Sequence, residues 1–258
     1  MVGLLIGKMI KDVNKKKAQV TVFVIVAVVI IAGIGGFIYY NGELGLGENV
    51  DPVVEPVYLY VENCMEETAK NAILDTSQFG GYFISPDLSI DNGMPYYLYD
   101  ERDNMPSKRE ISEQISLYLD SSLFFCLGEF EDFSGFEITA GPSETIVTIE
   151  DEEVIFNIKY PLTVTKGNSS FVFEDFVVKV PARLGVIYDS IDYYMNEQMI
   201  SPKGICVTCA HEISTTEDLY FNTIDYDEET VIFTIKDENI KINKEDLVFN
   251  FANQYEGI

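Results

Sequence analysis

From Ala18 to Gly42 the chain runs 25 residues without one charge, and that stretch constrains it more than any other. Its apolar part, Val20 to Tyr40, begins Val-Thr-Val-Phe-Val-Ile-Val-Ala-Val-Val-Ile-Ile-Ala, a β-branched run that in water favours a strand. In hydrocarbon a lone segment satisfies its backbone only as a helix, and about 20 apolar residues suffice to cross. An ion inside such a segment would be costly, and none is present. Residues 19–40 are therefore expected to form a hydrophobic transmembrane helix. The chain after residue 40 is cargo held at a membrane or built into a helical assembly.

Charge is divided sharply around this segment. Before residue 41 stand five lysines (Lys8, Lys11, Lys15, Lys16, Lys17) and one acid, Asp12, a local net of +4. After it stand 42 acids against 12 Lys and Arg, about −30, so that the whole chain carries −26. Lysines beside a span resist translocation, which places the N-terminus in the cytoplasm and the C-terminal region outside. The acidic excess argues against nucleic acid and bare anionic lipid as partners, and suits a solvated outer surface.

A removable secretory signal has a short apolar region followed by small residues at a cleavage site. Here the run is longer, and Ile34-Gly35-Gly36-Phe37-Ile38-Tyr39-Tyr40 behind it is glycine and aromatic. The distinctive feature lies in front: Lys16-Lys17-Ala18-Gln19-Val20-Thr21-Val22-Phe23. This arrangement resembles the class III signal peptide of archaeal type IV pilin-like proteins. The resemblance implies a leader of residues 1–18, a prepilin peptidase that cuts between Ala18 and Gln19, and an apolar helix retained on the mature chain. Pilins commonly carry a glutamate five residues into the mature chain, where this sequence has Phe23. The general layout also resembles surface proteins of small-genome archaea.

Residues 41–56 read as a linker: three glycines lie within Asn41 to Gly47, and Pro52 and Pro56 punctuate the entry to the next element. Residues 57–127 read as a helical hairpin with a long loop. From Val57 to about Thr76, Val57, Tyr60, Val61, Cys64, Met65, Thr68, Ala69, Ala72 and Ile73 recur at helical spacing, opposite Glu62, Glu66, Glu67 and Lys70. Residues 77–106, rich in Gly, Pro and Tyr, read as the loop, with a strand pair at Tyr82–Ile84 and Tyr96–Tyr99. Ser107 and Glu110 form a capping box that opens a second helix running to about Leu127.

Residues 128–258 read as an antiparallel, β-rich acidic region. Period-two alternation marks Thr145–Ile149, Val154–Thr165 and Phe171–Val180, with Pro161 expected at a bulge or an edge. Ala182–Ile200 has helical spacing, and Leu219–Tyr226, Thr230–Lys236 and Leu247–Phe251 form a second group of strands. The expected class is α+β: a long N-terminal hydrophobic helix, a helical hairpin, and antiparallel β-meanders with one further helix.

Four cysteines in the outward part suit a compartment where disulfides persist. If the two helices fold back antiparallel, Cys64 and Cys126 face each other, and their bridge would contribute on the order of 4 kcal/mol. Cys206-Val207-Thr208-Cys209 then has three readings: a local disulfide, half a metal site completed from His211, or a redox pair. The redox reading wants a helix start after a strand, and Ser201-Pro202-Lys203-Gly204 precedes the pair instead. Cys206, Cys209 and His211 are the one cluster where metal could be proposed. The disulfide reading is preferred, so that no metal and no cofactor is expected.

No nucleophile elbow and no phosphate-binding glycine loop is present, and the single histidine has no evident nucleophile partner, so the chain is not read as an enzyme. The acidic runs Glu150–Glu153 and Asp225–Glu229 lack the ligand spacing of a calcium loop and read as hairpin tips. The expected function is a pilin-like structural or adhesive protein at the cell membrane or on a surface appendage. Its expected partners are the membrane, the peptidase, copies of itself in a filament and a surface partner. The alternative is a single-pass anchored extracellular protein that binds a ligand.

Overall fold

The computed structural model describes residues 50–255. The leader, the 19–40 helix, the Ala18/Gln19 cleavage point and most of the 41–56 linker lie outside the described residues. Among those described, no helix is long and apolar enough to cross a membrane.

The first helix, α1, spans Glu55–Gln78, with Pro56 in its first turn, where a missing N–H is not felt. It buries Val57, Val61, Cys64, Met65, Thr68, Ala69, Ala72 and Ile73, the stripe expected from the spacing except Tyr60, which is only half-buried. Two left-handed glycines, Gly80 and Gly81 at φ +57° and +79°, end it. The second helix, α2, spans Lys108–Leu127. At its start the Ser107 hydroxyl accepts from the Glu110 N–H while the Glu110 carboxylate accepts from the Ser107 N–H. Ile111, Ile115, Leu119, Leu123 and Leu127 are its buried face. The helices run antiparallel, since Tyr60 reaches the Cys126 carbonyl at one end and Tyr118 bonds Asp75 toward the other.

Between them lie β1 (Tyr96–Tyr99) and β2 (Arg102–Asp103). The strand expected at Tyr82–Ile84 is absent. The backbone N–H groups of Phe83 and Ile84 instead donate to the side-chain oxygen of Gln114, at 3.1 and 3.0 Å, so a residue on α2 takes the place of a partner strand.

After a 3-10 turn at Gly128–Phe133 the first sheet is built from β3 (Glu137–Ala140), β4 (Glu144–Ile149), β5 (Glu153–Lys166) and β6 (Ser169–Pro181), all antiparallel. The long central β5 carries β6 on one edge and β4 then β3 on the other. Pro161 sits where this changes. The β5/β6 register shifts between Lys159 and Leu162, and the Pro161 carbonyl accepts from Gly141 at 2.8 Å. Proline has no N–H to lose there, so an interior strand tolerates it.

Helix α3 (Leu184–Ile200) and helix α4 (Val207–Thr216) come next. Then β7 (Tyr220–Asp225), β8 (Thr230–Ile242) and β9 (Glu245–Gln254) complete a second sheet of order β2-β1-β9-β8-β7. The expected all-antiparallel pattern needs one correction: β1 lies parallel to β9. The 77–106 loop returns to the sheet edge beside the C-terminal strand, and its register slips between Tyr96 and Leu98. The overall class is mixed, with four helices and two mainly antiparallel sheets among the described residues.

An aromatic row crosses the second sheet. Tyr97 of β1 stacks on Phe251 of β9 at 4.6 Å, Phe251 stacks on Phe233 of β8 at 5.1 Å, and Phe221 of β7 meets Phe233 edge-on. Tyr194 of α3 packs on both Phe221 and Phe233. On the opposite face, Ile90 and Met94 of the long loop pack on Ala252, Tyr96 and Ile232. The sheet is thus covered on both sides, and α1 touches β6 of the first sheet and β9 of the second. Burying each such ring contributes roughly 1.5–3 kcal/mol.

Candidate functional site

A buried polar network gathers on Gln198, which lies on the buried stripe of α3 and is only 1% exposed. Its side-chain oxygen accepts from the Tyr194 hydroxyl at 2.9 Å, the Tyr255 hydroxyl at 3.3 Å and the Cys206 N–H at 3.0 Å. Its amide donates to the carbonyls of Ser201 at 3.0 Å and Gly204 at 2.7 Å. A buried amide costs free energy unless each polar atom is bonded, and here each is. Asn253 extends the network: its amide reaches the Tyr255 hydroxyl and its oxygen accepts the Leu98 N–H, filling the slip between β1 and β9. Burial pushes the Tyr194 and Tyr255 hydroxyls above their ordinary pKa, and proximity to Tyr255 adds to the shift of Tyr194.

The network fixes the 201–206 loop so that Cys206 becomes the N-cap of α4. Cys206 and Cys209 are joined as a disulfide with Cα atoms 5.4 Å apart. Cys206 is half-buried and Cys209 buried. The helix start that the spacing did not reveal is therefore present, although a loop from α3 leads into it and not a strand. Sulfurs joined to each other are not thiolates, the form a metal takes. His211 stands exposed on α4, and among the described residues no group of three or more His, Cys, Asp or Glu could hold an ion.

The other bridge, Cys64 to Cys126, joins the two helices with Cα atoms 5.6 Å apart. Beside it Tyr60 donates to the Cys126 carbonyl at 2.8 Å and packs on Phe130 and Phe133, while Phe125 is 81% exposed. The acidic runs are hairpin tips: Glu150–Glu153 joins β4 to β5, and Asp225–Glu229 joins β7 to β8. In the second, the Asp227 carboxylate accepts from the N–H groups of Glu229 and Thr230, which holds its pKa below the usual range.

A cavity of about 360 Å³ opens between α3 and α4, with Asp151 of the β4/β5 turn at one side. Ser190, Tyr193, Glu212, Ile213 and Glu217 also line it. None of these residues, nor Gln198, is marked as functional by sequence spacing. The available signal is that Ser190 and Gln198 are polar residues on the otherwise apolar stripe of a helix. No family model, curated protein or solved structure matches this chain.

Proposed function

We propose that this chain is a pilin-like structural or adhesive protein of the cell surface, held or assembled through its N-terminal apolar segment, with the disulfide-stapled acidic domain outside. The observation that carries this reading is that Cys64, Cys126, Cys206 and Cys209 all stand in disulfides, with no free cysteine among the described residues. Disulfides of this structural kind persist in oxidising compartments and are rare in a reducing cytoplasm. The sequence supplies the rest: the uncharged segment, the lysines before it, and about −30 of charge after it. Prepilin peptidase would cut at Ala18/Gln19, and the freed helix would stay in the membrane or pack against copies of itself.

A second reading, an anchored extracellular protein that binds a ligand, is favoured by the cavity between α3 and α4. Proteinase treatment of intact cells tests the shared topology. The disulfide-linked domain should be shed or trimmed without lysis, and protection until lysis would overturn both readings. Filaments containing the chain select the first reading over the second.

A further inference from the structure

We infer that Asn168 is an N-glycosylation site, bearing an oligosaccharide on its side-chain nitrogen. The inference rests on the outward placement proposed above, because an oligosaccharyltransferase meets its acceptor on the outer side of the membrane.

The sequence supplies the acceptor. Asn168-Ser169-Ser170 has the Asn-x-Ser/Thr spacing with no proline between, and no other asparagine of the chain has Ser or Thr two residues on. The fold supplies the presentation. Gly167 and Asn168 form the two-residue loop between β5 and β6, with Lys166 paired to Ser169 across it. Gly167 has φ +63° and Asn168 is not left-handed, the pattern of a type II′ hairpin turn. Such a turn requires the glycine. It requires neither an asparagine after it nor a hydroxyl at residue 170.

The acceptor atoms are also free to react. Residues 166–170 are all exposed, and a Cβ at Gly167 would meet no atom within 4 Å. The Asn168 carboxamide stands in water, with no partner among the described residues. Asparagines of other turns are engaged: the Asn92 side-chain oxygen accepts from the Met94 N–H, and the Asn104 amide donates to the Arg102 carbonyl. The Ser170 hydroxyl accepts from Thr165 at 3.1 Å, which leaves its own proton for the transferase. The hairpin buries no residue between Val164 and Phe176, so its tip can enter a cleft without disturbing the core.

The co-reactant is an oligosaccharide activated on a lipid phosphate. A bond forms from the Asn168 nitrogen to the anomeric carbon, and the bond from that carbon to the phosphate oxygen breaks. The lipid phosphate leaves with the electron pair, the nitrogen gives up one proton, and nothing is oxidised or reduced. The position also bears on β6, which among the described residues pairs only with β5 and exposes Val172 and Val177. An open edge with apolar side chains invites a second strand, and a hydrated oligosaccharide where the strand begins obstructs one.

Mass spectrometry of the tryptic peptide of residues 167–179, from full-length chain recovered from its native membranes, tests this. The peptide should be heavier by one oligosaccharide, with sugar fragment ions and the added mass on Asn168. In the same cells Asn168→Gln and Ser170→Ala should each abolish the added mass, while Ser169→Ala and Ser170→Thr retain it. Sugar that survives Asn168→Gln would be linked to a hydroxyl and would overturn the inference. A bare peptide from intact cells whose domain is shed by proteinase overturns the inference and leaves the outward placement standing. A bare peptide from a domain protected until lysis overturns both.

Discussion

The Cys206 N–H donates to the side-chain oxygen of Gln198 at 3.0 Å, tying the first residue of a Cys-x-x-Cys pair to the buried face of the preceding helix. The same oxygen receives Tyr194 and Tyr255, which sit against the aromatic row of the second sheet. One glutamine thus links helix packing, the C-terminal end of β9 and the conformation of the cysteine loop.

Replacing Gln198 by Leu would strand the Cys206 N–H and the carbonyls of Ser201 and Gly204. Each lost partner costs about 1–3 kcal/mol, with part recovered from water as the loop opens. The expected loss in urea unfolding is about 2–4 kcal/mol. The 206–209 bridge should also react faster with dithiothreitol. Unchanged stability together with unchanged reduction rate would refute the role given to Gln198.

The two disulfides should behave differently. Cys64 and Cys126 are separated by 62 residues, so their bridge contributes about 4 kcal/mol by loop entropy. Cys206 and Cys209 are separated by 3, and that bridge contributes about 2 kcal/mol on the same scale. The half-exposed Cys206 at a helix N-terminus favours the thiolate, so the short bridge should be reduced first, with the smaller drop in melting temperature. Mass spectrometry of alkylated fragments along a reductant titration gives the order. Earlier loss of Cys64–Cys126 would contradict it.

Burial holds Tyr97, Tyr194 and Tyr255 above the ordinary tyrosine pKa of 10.0, and burial with the Asp75 hydrogen bond pushes Tyr118 up to about 12. The native chain keeps these protons while the unfolded chain loses them. Their contribution is therefore complete below pH 10 and falls as pH rises, for Tyr118 between 10 and about 12. Tyrosinate absorbance should show a late group that ionises only as far-UV circular dichroism collapses. A single step near 10 with the dichroism intact would refute their burial.

Gly185→Ala places a methyl 2.8 Å from the Asp151 Cα and closer still to the Glu150 carbonyl oxygen, both backbone atoms. The β4/β5 turn must move off α3, at an expected cost of about 1–3 kcal/mol. Thermal unfolding checks this, and a variant as stable as the parent would show that the turn is not seated as described.

Much of this was legible in residue spacing. The stripes on α1, α2 and α3 follow the helical period, and Ser107 with Glu110 marks a cap by local chemistry. Pro161 within a strand pattern points to a bulge or an edge, and the β5/β6 register shift beside it is the first of these. The facing of Cys64 and Cys126 follows once the two helices are antiparallel.

What escaped is long-range. Gln114 quenches the expected strand at Phe83 and Ile84 from 31 and 30 residues away. The parallel pairing of β1 with β9 joins Leu98 to Asn253 across 155 residues. Helix α4 is masked by Val207, Thr208, Ile213, Thr215 and Thr216, β-branched residues of low helix propensity, and is held by its disulfide and by burial of Cys209 and Ile213. Ser190 and Gln198 were visible as polar residues on an apolar stripe, but their surroundings were not.

The measurement that tests the central claim most directly is the N-terminal residue of the chain recovered from native membranes or surface appendages, read by mass spectrometry of its first peptide. Prepilin-type processing predicts a start at Gln19 with the Val20 to Tyr40 segment retained. A start after Tyr40 would contradict the account, because the released domain would then have neither an anchor nor a helix to assemble through.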